Sequence, residues 1–77
     1  MEKDLVEYIA KSLVDDPDSV SVSMVEGEKS IILELKVAQD DIGKVIGKHG
    51  RIAKAVRTIL SASSTKSGKR VVLEILD

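Results

Sequence analysis

Two glycines bracket a lysine and a histidine in Ile46-Gly47-Lys48-His49-Gly50-Arg51-Ile52, and no other stretch of this 77-residue chain concentrates so much chemistry. Glycine lacks Cβ, so it takes backbone angles closed to other residues and lets a second chain come near its main chain. A cation and an imidazole between two such positions point to an anionic partner. Lys44 lies one helical turn upstream. Downstream, Arg51, Lys54 and Arg57 fall at i, i+3 and i+6, which on a helix makes a basic stripe. Main-chain N–H groups at the start of that helix, with its dipole, favour phosphate at the turn. The candidate contacts to a sugar-phosphate chain are therefore Lys44, Ile46, Gly47, Lys48, His49, Gly50, Arg51 and Lys54. Arg57 reads as an ordinary exposed helix residue. Three uses stay open for His49: contact with nucleic acid, packing at a dimer interface, or facing water.

Other chemistries fit poorly. Gly43-Lys44-Val45-Ile46-Gly47-Lys48 looks superficially like a phosphate-binding P-loop, which needs four residues between its glycines and Ser or Thr after the lysine. Here three residues intervene, and His49 follows. The chain has no cysteine, and its single histidine cannot build a zinc site. Its serines cluster away from that histidine, so no nucleophile is supported. No catalytic residue, cofactor or metal is expected. Tyr8 is the one aromatic residue, so the stacking platforms of RRM and OB-type binders are missing. Tyr8 and Met24 read as core or core-edge residues, and Asp40 and Asp41 as helix-start residues.

The elements that must position the turn are legible from periodicity. Residues 2–14 read as a helix, with Leu5, Ile9 and Leu13 at i+4 and Val6 and Val14 beside them. Asp15-Asp16-Pro17-Asp18 stops it, because Pro17 disfavours the α region for Asp16. Val20, Val22 and Met24 alternate with serines, as a strand with one wet face does. After a turn at Glu26 to Lys29, Ile31, Leu33, Leu35 and Val37 alternate as a second strand, closing an antiparallel hairpin. Asp40 and Asp41 open a brief helix ending near Ile46. A further helix begins near Gly50 and carries Ile52, Val56, Ile59 and Leu60 on one face. Ser61 to Gly68 is rich in Ser, Thr and Gly and reads as fraying into a loop. Val71, Leu73 and Ile75 mark a closing strand. The order is α-β-β-α-α-β, with three helices on one face of a three-stranded sheet. The two-helix crossover allows its flanking strands to run parallel.

A chain of this length fits one small domain with a thin core. No apolar run approaches the ~20 residues of a membrane span, and no signal peptide opens the chain. The expectation is a soluble, cytoplasmic protein with no membrane contact. Net charge is −1, yet the charge is unevenly spread. Residues 1–41 hold 4 Lys/Arg and 11 Asp/Glu, a net of −7, while residues 42–77 hold 8 and 2, a net of +6. No acidic residue falls between Asp41 and Glu74. A polyanion responds to the field of such a patch rather than to the molecular sum.

Val45-Ile46-Gly47-Lys48-His49-Gly50-Arg51-Ile52 resembles the I-G-x-x-G signature of RNA-binding K-homology (KH) modules, in which the loop leads into a helix. The element order resembles the type II arrangement, where an extra helix and strand precede the core. The length, and the ending Lys69-Arg70-Val71-Val72-Leu73-Glu74-Ile75-Leu76-Asp77, resemble the KhpA family of small bacterial single-domain KH proteins. The resemblance covers essentially the whole chain. It implies an α+β, type II KH domain over residues 1–77, a three-stranded mixed sheet covered on one face by three helices, and a GxxG loop at 47–50. It implies a groove for about four nucleotides of single-stranded RNA. The helix-loop-helix would form one wall and the second strand the other, with a floor from Val45, Ile46, Ile52 and Leu33 or Leu35. It further implies an RNA chaperone that pairs with a KhpB-type KH protein, can form a homodimer, and is linked to gene expression, cell-wall synthesis and cell shape. One departure is the serine-rich Ser61 to Thr65, which would shorten the last helix. A second reading stays open: a protein-interaction KH module that dimerises through the helix-loop-helix and binds little RNA.

Overall fold

A computed structural model of the chain describes residues 2–76 and, for residues 63–67, the backbone alone. Its elements are α1 (Glu2–Leu13), β1 (Ser21–Glu26), β2 (Ser30–Lys36), α2 (Ile42–Ile46), α3 (Arg51–Ser67) and β3 (Arg70–Ile75). Single 3₁₀ turns sit at Pro17–Ser19, Gln39–Asp41 and Lys48–Gly50. Strand order is β1-β2-β3. The short link through Gly27, whose N–H donates to Ser30 O at 2.8 Å, leaves β1 and β2 antiparallel, with Val22 opposite Leu35 and Met24 opposite Leu33. The α2–α3 crossover brings β3 back parallel to β2, with Leu33 opposite Leu73. This is the expected α+β fold with a mixed sheet.

Alternation puts one side chain in two beneath the helices. Val22, Leu33, Leu35, Val37, Val71 and Leu73 are buried and meet Val6 and Ala10 of α1, Val45 of α2, and Val56 and Leu60 of α3. The α1 stripe sits about one residue away from the expected one. Val6 and Ala10 lie deepest, whereas Leu13 is 36% exposed at the rim. Ala10, 1% exposed, has no bulk to hold the helix off the sheet. Tyr8 is not a core residue: it points away from the sheet and is 73% exposed. Met24 is not packed against the core either: it is 51% exposed on β1.

The expectation of a frayed loop after Leu60 is overturned. The helix continues through Ser67 and ends before Gly68, which sits at φ 75°. Serine costs only about 0.5 kcal/mol per position relative to alanine in a helix. Propagating a helix already anchored by Val56 and Leu60 is far easier than nucleating one.

Candidate nucleic-acid interface

Helix α2 is barely more than one turn long, and the chain leaves it sharply. Gly47 turns at φ 80° and ψ 168°, and its N–H donates to Gly43 O at 2.9 Å. Gly50 N–H then donates to Gly47 O at 3.0 Å, closing a tight turn. His49 and Gly50 also take positive φ, at 59° and 73°. The two glycines do different work. A Cβ on Gly47 would lie 2.6 Å from Ile52 Cγ1, whereas a Cβ on Gly50 would meet nothing within 4 Å. Gly47 lets the turn pack onto Ile52. Gly50 leaves open space at the mouth of α3. Lys48 and His49 form the exposed tip, and Ile46 and Ile52 stand half-buried below it.

Lys48, Arg51 and Lys54 are exposed, and none of them makes an ion pair with a described residue. Lys44 does not join them. Its Nζ lies 3.0 Å from both Asp15 Oδ2 and Asp41 Oδ1. Asp41 is 2% exposed, and its Oδ2 accepts the Asp16 N–H at 3.1 Å. The carboxylate therefore does not cap α2 as expected of a helix-start residue. It staples the exit of α1 to α2. The Lys44 hydrogen bond holds the Asp41 carboxyl below its ordinary pKa and outweighs burial, with help from the Asp16 and Asp15 amides. Asp15 first, then Asp41, hold Lys44 above its own ordinary value. Sequence offered one signal for this pair, the i, i+3 spacing of Asp41 and Lys44.

The expected groove floor and far wall also change. Leu33, Leu35 and Val45 are 0%, 3% and 4% exposed, sealed beneath the helices, so none can hold a base. The second strand is central, and β3 is the edge strand on the α3 side. The amides of Arg70 and Leu76 donate to Lys29 O and Leu35 O. Even-numbered residues of β3 thus bond to β2, and the main-chain groups of Val71, Leu73 and Ile75 face the open edge. Arg57 reaches that edge from α3, its Nη2 donating to Leu73 O at 3.4 Å. It is a bridge between α3 and β3 rather than an ordinary surface residue. Finding it required knowing that β3 returns beside α3.

A mixed three-stranded sheet under three helices, with a glycine-bracketed turn joining α2 to α3, defines a type II KH domain. Solved structures share the fold: Aquifex aeolicus Era bound to GDP and aluminium fluoride superposes with a TM-score of 0.66 at 22% identity. Era in complex with MgGDPNP and nucleotides 1506–1542 of 16S ribosomal RNA gives 0.61, also at 22%. Each covers 96% of this chain, while this chain spans less than a third of theirs, 29% and 28%.

The KhpA/KhpB KH-domain model matches residues 3–75, and the chain belongs to that family, one of KH domains and not of enzymes. RNA-binding protein KhpA of Clostridium acetobutylicum is 68% identical over 74 residues, 96% of this chain and 99% of the relative. The KhpA of Borreliella burgdorferi is 58% identical over 76 residues, 99% and 93% of the two chains. That of Treponema pallidum is 57% identical over 77 residues, 100% and 96%. Among the described residues no helix is long and apolar enough to cross a membrane.

Proposed function

We propose that residues 1–77 act as one KH unit that binds single-stranded RNA through the loop at 47–50. The observation that carries this is the exposed Lys48–His49 tip at the mouth of α3, continued by the cations of Arg51 and Lys54, which make no ion pair among the described residues. Gly47 sets the bend. Gly50 leaves room for a phosphate beside the first amides of α3, where the dipole adds to the attraction. Ile46 supplies apolar contact to a base. Lys44 serves by fixing α2 rather than by touching RNA. The curated relatives, named RNA-binding proteins, support the same reading.

One module with few contacts gives weak, salt-sensitive binding, which suits an RNA chaperone or post-transcriptional regulator. A KhpB-type partner or a second copy would add avidity. Through the KhpA resemblance the proposal extends to the cytoplasm and to control of cell-wall synthesis and cell shape. Self-association has an observation of its own. Ile59 is 46% exposed on α3, on the flank away from Lys54 and Arg57. Ile59→Glu is expected to lower the sedimentation mass of any dimer to that of the 8.3 kDa monomer; an unchanged dimer places the contact elsewhere.

Lys48→Asp with His49→Asp tests the RNA reading without touching a glycine, since aspartate tolerates the left-handed angle of His49 better than most residues. For the unaltered chain, about three phosphate contacts predict that log K falls against log salt with a slope near −2. The double variant is expected to lose most affinity at low salt and to keep its melting temperature. Unchanged affinity would remove the loop from the interface.

A further inference from the structure

We propose that Arg57 makes the groove prefer guanine to adenine, an inference that rests on the RNA-binding reading above. A free strand edge offers both donors and acceptors to whatever lies along it. At the middle of β3 that balance is altered. The main-chain groups of Leu73 lie on the open-edge side of β3, and Arg57 Nη2 donates to its carbonyl at 3.4 Å, which anchors the guanidinium over that edge. The guanidinium has five N–H donors and no acceptor, so most of its donors remain for another group. Leu73 itself is buried, so what this chain presents over the middle of β3 is the exposed arginine fork, all donors.

That arrangement discriminates between purines. Guanine carries two adjacent acceptors, O6 and N7, which an arginine fork meets in bidentate fashion. Adenine keeps N7 but replaces O6 by an amino group, a donor that the guanidinium has no acceptor to meet. The site lies within reach of the loop. Arg57 is six residues along α3 from Arg51, about 9 Å by helical rise, and a KH groove holds about four nucleotides. Loop contacts to phosphate fix the strand, and the base that falls beside Arg57 is the one read.

The test uses the full chain and two labelled nine-nucleotide oligouridines that differ at one central nucleoside, guanosine or adenosine. The expected result is that the guanosine RNA binds about fivefold tighter or more. Arg57→Lys keeps the charge but loses the planar fork, and is expected to bring the two affinities together by weakening the guanosine RNA. A measurement on the unaltered chain guards against a variant that misfolds. Inosine, which retains O6 and N7, should bind as guanosine does, and 7-deazaguanosine should bind as adenosine does. Equal affinity for the first two RNAs overturns the role given to Arg57 and leaves RNA binding intact. So does a guanosine preference that survives in Arg57→Lys or with 7-deazaguanosine. If neither RNA binds, the RNA-binding reading falls, and this inference falls with it.

Discussion

A methyl group added at Gly47 would sit 2.6 Å from Ile52 Cγ1 and 2.9 Å from both Cβ and Cδ1 of the same residue. It would also have to adopt φ 80° with ψ 168°, a region that only glycine populates readily. Strain and overpacking each cost about 1–3 kcal/mol, so Gly47→Ala is expected to lower stability by about 2–6 kcal/mol in urea melts. Gly50→Ala faces open space and only the left-handed angle, which costs about 1–2 kcal/mol. The ordering is the test: equal losses would mean that Ile52 does not pack against the turn. Sequence showed both glycines, but their spacing is symmetric and their surroundings are not. Only the return of Ile52 onto the loop separates a glycine needed for packing from one that leaves an approach open.

At the scale of elements, the periodicities of two and 3.6 residues made the order of strands and helices legible, because burial of one face repeats along each of them. What stayed hidden was decided between elements. Ser61 to Ser67 carries weak local preference, so its helical state comes from continuity with the packed part of α3. Asp41 looked like a helix start, and its partners Asp15 and Asp16 come from the far end of α1. That staple has a pH signature. The folded pKa of Asp41 lies below its unfolded value, so its contribution is present at neutral pH and lost as acid protonates the folded carboxylate, below about pH 4. Lys44 has the opposite sign: its folded pKa is raised, and its contribution is complete below about pH 10 and lost as alkali deprotonates it. Asp41→Asn is therefore expected to destabilise the chain more at pH 7 than at pH 3, measured by thermal melts at each pH. A deficit that is constant across that range would show that the carboxylate charge contributes nothing to holding α1 to α2.

On the scale of the whole molecule, charge is separated along the chain, −7 before Ile42 and +6 after Asp41. The fold keeps exposed carboxylates on α1, the following turn and the hairpin, while the loop and α3 carry cations. The molecule extends 34 × 23 × 18 Å, whereas charges are screened within about 8 Å at physiological salt. A carboxylate more than about 8 Å from the loop thus acts on RNA there only when salt is low. Asp4→Asn, Asp18→Asn and Glu28→Gln remove three exposed carboxylates, and net charge moves from −1 to +2. RNA affinity is expected to rise several-fold at 10 mM salt, where the screening length reaches about 30 Å. At 150 mM, where the screening length falls to about 8 Å, the gain should shrink below about twofold. A tenfold gain that persists at 150 mM would mean that RNA runs across α1 and the hairpin, and the groove between the loop and β3 would no longer account for binding.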